Sequence, residues 1–392
     1  MYRLDKAGNF IEFKNGKSIK PGGDGAYPVY GANGIIGMSD EYWEENSIIV
    51  GRVGAYCGAV QYCRGRYWAS DNTIVACPKD RNTNVRFLYY QLKNANLNRW
   101  AGGAAQPLMT QTVIKQIDLP YPSLMTQRKV ASILSAYDDL IENNTRRIQI
   151  LEEMCQRIYR EWFVDFRFPG HERGKLIDGP ICRIPEGWDI VEVGKRFKTV
   201  LGGTPSRVKE EYWSDGNIPW INSGKVNEIR IIDESEFITE LGLRKSSTKM
   251  MPKRTTVIAI TGATLGQVSL LEIEVCANQS VVGIWDEEHI YDEYLYFKFC
   301  EIIESVILKA GGGAQQHINK EIVNSETIVI PPKPVINKFN EHVRPMCDLI
   351  RNLLIKNKVL MRKRDILLPK LISGEIDVSE IDIAIQEQEN GA

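Results

Sequence analysis

The chain has 392 residues, 43% hydrophobic and 25% charged, which suits a folded protein long enough for two domains, each burying its own core. Its 49 basic and 50 acidic residues leave a net charge of −1, so no global basic excess announces a nucleic-acid partner; basic residues would have to gather on one face. Eight cysteines without a CxxC pair, and only four histidines, argue against a metal centre and for free thiols in a reducing compartment.

Met1-Tyr2-Arg3-Leu4-Asp5 lacks the apolar core of a secretory signal, and no run approaches the roughly 18 apolar residues of a membrane span. A cytoplasmic location is expected. Residues 1–122 are rich in Gly, Tyr, Val and Ile, and runs such as Ser47-Ile48-Ile49-Val50 and Thr73-Ile74-Val75-Ala76 read as strands. Arg86 to Trp100 has helical periodicity, and Leu119-Pro120-Tyr121-Pro122 is a stop.

From Thr126 to Phe163, Val130, Leu134, Tyr137, Ile141, Asn144, Ile148, Leu151, Cys155, Ile158 and Trp162 alternate steps of four and three. That is the a/d seam of a coiled coil, on a helix about 55 Å long. Arg167-Phe168-Pro169-Gly170 ends it. Residues 171–330 repeat the strand-and-turn texture, with strands at Thr256–Ile260 and Ser280–Ile284, and Ile330-Pro331-Pro332-Lys333-Pro334 is a second stop. In residues 331–392 a second seam follows, through Phe339, Val343, Met346, Ile350, Leu353, Asn357, Leu360, Arg364, Leu367 and Leu371. Pro345 is expected to kink this helix and Pro369 to stop or kink it.

The two halves say nearly the same thing. Gly102-Gly103-Ala104-Ala105-Gln106 returns as Gly311-Gly312-Gly313-Ala314-Gln315, and Gly54-Ala55-Tyr56-Cys57-Gly58 as Gly262-Ala263-Thr264-Leu265-Gly266. Asp139-Leu140-Ile141 returns as Asp348-Leu349-Ile350, about 209 residues on. So long a period excludes a solenoid. The expected architecture is α+β: two globular mixed α/β domains separated by two long antiparallel coiled-coil helices in a pseudo-two-fold repeat. Centring the helices on each other makes facing residue numbers add to 501, which sets Asn144 against Asn357. A buried Asn pair fixes register at a cost in stability.

Catalytic signatures are missing. Gly16-Lys17-Ser18 lacks the glycine a P-loop needs five positions earlier, where Ile11 stands, and no GxSxG, HExxH or GxGxxG motif occurs. Glu152-Glu153 and Glu287-Glu288 read as solvated surface. The chain is not expected to be an enzyme.

Ile141-Glu142-Asn143-Asn144-Thr145-Arg146-Arg147-Ile148 and its continuation to Met154, then Tyr159-Arg160-Glu161-Trp162-Phe163-Val164-Asp165-Phe166-Arg167-Phe168-Pro169-Gly170, closely resemble the central conserved region of type I restriction–modification specificity (S) subunits. Leu367-Leu368-Pro369-Lys370-Leu371-Ile372-Ser373-Gly374-Glu375-Ile376 resembles that family's distal conserved region. Gly202-Gly203-Thr204-Pro205-Ser206 with Ile218-Pro219-Trp220-Ile221, and Tyr27-Pro28-Val29-Tyr30-Gly31-Ala32-Asn33-Gly34, look like openings of its target-recognition domains. One departure is the start: Pro185-Glu186-Gly187-Trp188 leads into the second domain, and the first has no such lead.

The resemblance implies two target-recognition domains, residues 1–122 and 171–330. It also implies two conserved spacer regions, 123–170 and 331–392. It further implies a non-catalytic subunit that reads a bipartite target in double-stranded DNA, sets the gap with its helices and docks two methyltransferase (M) subunits, with two restriction (R) subunits joining through them. The cofactors would belong to those partners: S-adenosylmethionine for adenine-N6 methylation in M, ATP and Mg in R.

Side chains able to read base edges are chiefly Arg, Lys, Asn and Gln, assisted by Ser and Thr. Candidates in the first domain are Tyr30, Asn33, Arg52, Asn72, Gly103 and Gln106. In the second they are Thr204, Ser206, Arg207, Asn222, Lys225, Asn278, Gln279, Gly312 and Gln315. Each has a bland alternative: Asn with Gly makes turns, Tyr30 and Trp220 are equally core residues, and Arg207 is equally solvated. Tyr159, Trp162 and Phe163 either pack inward or dock against M. A scaffold that spaces two protein partners without touching DNA is the rival reading, favoured by the near-neutral charge.

Overall fold

The computed structural model describes residues 2–103, 107–180, 183–309 and 317–382. The chain divides into two compact units, Met1–Asn143 with Asn357–Ala392, and Asn144–Lys356. Each holds a mixed α/β domain and a stretch of each of two long helices, Leu124–Phe163 and Lys333–Ser373.

In the first unit β1 (Leu4–Lys6) leads to β2 (Ile11–Asn15), β3 (Tyr27–Gly31), β4 (Gly34–Ser39), β5 (Glu44–Gly51), β6 (Val60–Ala69), β7 (Thr73–Pro78) and β8 (Asp118–Pro120). Six strands form one sheet in the order β2-β7-β5-β6-β3-β4, antiparallel except for β3 beside β6. The fully buried Ile48, Val50, Ile74 and Ala76 alternate on one face of β5 and β7 and pack on Leu88 and Leu92 of the helix Val85–Asn94. That helix and the 3₁₀ turn Leu97–Trp100 occupy the segment expected as one helix.

The second unit begins with the hairpin β9 (Leu176–Asp178) and β10 (Arg183–Pro185). Then come β11 (Asp189–Glu192), β12 (Lys198–Leu201), β13 (Ile218–Ile221), β14 (Arg230–Ile231), β15 (Glu236–Ile238) and β16 (Met250–Met251). After them come β17 (Thr256–Ala259), β18 (Val268–Leu271), β19 (Val275–Ala277), β20 (Val281–Trp285) and β21 (Thr327–Ile330). Two sheets result, β12-β20-β17-β18-β14 and β15-β13-β19-β16. One difference from the first unit lies in a single strand: β6 runs ten residues unbroken, whereas its counterpart is split into β18 and β19 around residues 272–274.

The start of the first domain is framed as the second is. β1 pairs antiparallel with β8, as β11 pairs with β21. Ala7 N–H donates to Ile117 O at 2.9 Å, and Val193 N–H to Glu326 O at 2.9 Å.

Within each unit the two long helices pack antiparallel. In the first, Val130, Ala131 and Leu134 cluster with Leu367, Leu368, Leu371 and Ile372. In the second, Ile148 and Leu151 cluster with Ile350 and Leu353, and Trp162 meets Phe339 at 5.9 Å between ring centroids. Val130 with Leu371, Leu134 with Leu367, Ile148 with Leu353 and Trp162 with Phe339 all have numbers adding to 501. Asn144, Val343 and Asn357 are buried, the Asn357 amide donating to Ile141 O at 3.4 Å; Tyr137, Ile141, Ile158, Met346 and Leu360 are half-buried. Tyr159, Trp162 and Phe163 point inward, into an aromatic cluster with Trp188, Tyr294 and Phe339.

The second long helix continues through Pro345 and does not stop at Pro369, running from Lys333 to Ser373. Both prolines are exposed, so water can take the carbonyl each leaves without a partner, and packing of the opposite face holds the helix. Glu152 is not solvated. It is 6% exposed, accepts from Tyr296 Oη at 2.8 Å and pairs with Arg230 at 3.1 Å.

Arg230, on β14, has no exposed side-chain surface. Its guanidinium also lies 3.8 Å from Glu272, donates to Cys347 Sγ at 3.4 Å and stands 4.6 Å over the Tyr296 ring. Glu272 belongs to the break between β18 and β19, and Lys253 and Arg351 flank it at 3.8 Å. Burial alone pushes the Glu272 carboxyl up, and the surrounding cations oppose that. This clasp joins the second domain to both long helices inside its unit. The first unit has a wetter version, with Asp139 pairing to Arg86 at 3.3 Å and to Arg64, and Asp138 bonding Tyr90 Oη and Arg364 at 2.6 Å each.

Candidate nucleic-acid interface

The repeated glycine turns have one geometry. In the first domain Gly54 and Gly58 have φ of +73° and +84°; in the second Gly262 and Gly266 have +72° and +83°. These are left-handed values that favour glycine. The hydrogen bonds repeat as well. Gly51 N–H to Ala59 O (2.8 Å), Arg52 N–H to Asn72 O (2.9 Å) and Met109 N–H to Arg52 O (2.8 Å) return in the second domain. There they are Ala259 to Gln267 (2.9 Å), Ile260 to Ser280 (2.9 Å) and Ile318 to Ile260 (3.0 Å). Ser70 N–H to Tyr30 O and Asn278 N–H to Ile221 O are another matching pair.

A third correspondence explains the Gly202-Gly203 motif. Gly16 N–H donates to Thr73 O, and Gly202 N–H to Val281 O, at 2.9 Å each. A Cβ on Gly16 would stand 1.8 Å from Ser70 O, and one on Gly202 2.1 Å from Asn278 O. Only glycine fits where the strand entering each domain crosses the loop that carries Ser70 or Asn278.

This frame gathers several candidates from distant parts of the sequence. In the second domain β13 and β19 run parallel, with Ile221 opposite Ala277, so Asn222 and Asn278 follow side by side at their ends. Thr204 is tied to Gln279 by a 2.5 Å hydrogen bond, which adds both to that edge. Asn222 and Gln279 are exposed, Thr204 and Asn278 half-buried. Two of these side chains serve the backbone: Asn222 Oδ1 accepts from Gly224 N–H and Asn278 Oδ1 from Ser280 N–H. Ser206 is exposed at the head of the next loop.

Arg207 and Lys225 are differently placed. Arg207 makes a two-pronged pair with Glu236 at 2.6 and 2.8 Å, and its guanidinium lies 3.5 Å over the Trp213 ring. Lys225 holds Glu228 at 2.7 Å and also Asp233. Each cation is answered inside the domain. Trp220 is buried, its indole donating to Gly203 O at 3.1 Å.

In the first domain Arg52 and Asn72 are joined by their backbones, and the bridge between Val53 and Leu108 brings the base of the Gly102–Leu108 loop beside them. Asn33 and Asn72 are exposed, and Gly103 has φ +98°. Tyr30 is half-buried, edge-on to Tyr67 at 5.5 Å, and burial pushes its hydroxyl up to about 12. Gln106, Gly312 and Gln315 lie outside the described residues.

The sequence reading passed over one group. No acid falls between Glu240 and Glu272, while Arg244, Lys245, Lys249, Lys253 and Arg254 all do. That one-sided charge run was the available signal. Among the described residues no three His, Cys, Asp or Glu gather as metal ligands, and no helix is long and apolar enough to cross a membrane.

Residues 6–153 and 185–358 match the family described as Type I restriction modification DNA specificity domain. The type I restriction enzyme MjaIX specificity subunit of Methanocaldococcus jannaschii is 28% identical over 78% of this chain and 72% of its own length. The HindI specificity subunit of Haemophilus influenzae is 24% identical over 69% and 71%. A crystal structure of the type I restriction–modification S subunit from M. genitalium shares the fold, with a TM-score of 0.66 and 16% identity over 95% of this chain and 96% of that one. A strand-end frame built twice, two long helices packed antiparallel and a family match across both halves lead to one conclusion: the chain belongs to the type I restriction–modification specificity family.

Proposed function

We propose that this chain is the DNA-reading subunit of a type I restriction–modification complex. Residues 1–122 and 171–330 act as target-recognition domains, each reading one half of a bipartite duplex target. Residues 123–170 and 331–392 set the gap and dock two M subunits, through which two R subunits join. The observation that carries this is the strand-end frame built twice from the same hydrogen bonds, since a split target needs two equivalent readers. Asn33, Arg52 and Asn72 in one domain, and Thr204, Ser206, Asn222, Asn278 and Gln279 in the other, are the base-edge and backbone contacts of choice. Arg207 and Lys225 take part only by giving up their carboxylates.

The chain itself contributes alignment. Adenine-N6 methylation requires the base to leave the stack, and that chemistry, with S-adenosylmethionine, falls to M; ATP and Mg serve R. Mapping methylated adenines in cells with and without the gene tests the reading. Loss of one split motif is expected, and exchanging residues 1–120 for those of a relative should change one half of it. An unchanged methylation pattern, with M expressed and active, refutes it.

A further inference from the structure

From the last residue of the short helix Glu240–Arg244 to β16 runs Arg244-Lys245-Ser246-Ser247-Thr248-Lys249, three cations in six residues of a chain whose net charge is −1. Several lysines of this unit are answered, as Lys195 is by Glu192 at 2.7 Å and Lys298 by Glu301 at 3.1 Å. Arg244 reaches Glu240 only at 4.0 Å, with both side chains largely in water, so that pair holds it weakly. Lys245 and Lys249 are exposed and have no ion-pair partner among the described residues.

The strip is fastened beside the reading edge. A Cβ on Gly203 would stand 2.3 Å from Ser247 Oγ and 2.6 Å from Thr248 N. Thr248 is fully buried, and its hydroxyl donates to Ala277 O at 3.2 Å. The same carbonyl accepts from Gly203 N–H at 2.7 Å. The backbone that pins the strip therefore also carries Thr204, Asn278 and Gln279. Cations and hydroxyls fixed next to a base-reading edge have the chemistry that grips duplex phosphates, which set register without reading sequence.

We propose that Arg244, Lys245 and Lys249 form the phosphate-binding strip of the second recognition domain, holding the backbone beside the half-site that Thr204, Asn222, Asn278 and Gln279 read. The inference rests on the DNA-reading function above. The competing role for charge at this place is protection of the edge strand β16 from pairing with another chain, which leaves DNA affinity untouched.

The test uses the assembled complex of this chain with its M subunit. Its probes are a duplex oligonucleotide bearing the methylated motif mapped in cells and a scrambled duplex. Affinity is measured from about 50 to 300 mM salt for the wild type, Lys245→Ala, Lys249→Ala, the double variant and the control Lys195→Ala. Each single strip variant should lower the slope of log K against log salt by about 0.9 and the double variant by about 1.8, equally on both duplexes, with the methylated motif unchanged. The control should not move. An unchanged slope overturns the strip while leaving the DNA reading intact; so does a loss confined to one base pair of the motif. A wild-type complex without DNA affinity overturns both. The substituted side chains are exposed, so an unchanged urea midpoint is expected and separates lost contacts from lost fold.

Discussion

Replacing Arg230 by methionine tests whether the second domain is clamped to its helix stretches by a buried charge. The guanidinium is wholly buried, and the side chains of Glu152 and Glu272 are only 8% and 5% exposed. Without Arg230, Glu152 keeps one partner, the Tyr296 hydroxyl at 2.8 Å, while Glu272 keeps Lys253 and Arg351 at 3.8 Å. Removing one member of a buried pair costs about 3–5 kcal/mol, because the other charge stays dry. The two cations left to Glu272 put the value here near the lower end, about 3 kcal/mol. Replacing both members, Arg230→Met with Glu152→Met, should return at least half of that loss, since a buried pair exchanged for apolar groups is often neutral. Urea unfolding of the full chain gives the magnitudes. Hydrogen exchange should place the loss in residues 144–356 and leave the first unit as it was. A single variant within about 1 kcal/mol of wild type, or a double variant as unstable as the two losses added, would refute the reasoning.

Three other perturbations follow from the same structure. Pro345 sits exposed inside a continuous helix, so Pro345→Ala should raise stability by about 1–3 kcal/mol, and a lowered urea midpoint would show that the proline is required for packing. Ile350 is fully buried against Ile148 and Leu353; Ile350→Ala should cost about 2–5 kcal/mol, whereas Val359→Ala, nearly half exposed, should cost under about 0.5 by the same measurement. Arg207 holds the Glu236 carboxyl below the usual carboxylate range, so the pair's contribution is complete above the unfolded pKa near about 4.3 and fades as pH falls through the lower folded value. Amide exchange in residues 204–216 should rise across that acid window in the wild type, while Arg207→Gln should show the faster exchange already at neutral pH.

Local pattern made much of this protein legible in its sequence. The alternation of four and three from Val130 to Trp162 defines one face of a helix without reference to anything distant, and the helix Leu124–Phe163 follows it. The return of Gly54 as Gly262 was visible as a repeated glycine turn, and both stand in open space with positive φ, so local backbone conformation alone favours glycine there. What tertiary structure decided is which charges lie inside and which stay free. Glu152 reads as surface until Arg230, 78 residues later, is folded onto it, and Arg207 reads as a free cation until Glu236, 29 residues away, answers it. The strip from Arg244 to Lys249 gains meaning only once Gly203 brings it beside the edge that carries Thr204 and Asn278. Helical periodicity is a property of neighbouring residues, whereas burial and neutralisation of a charge depend on partners that the chain supplies only when it folds.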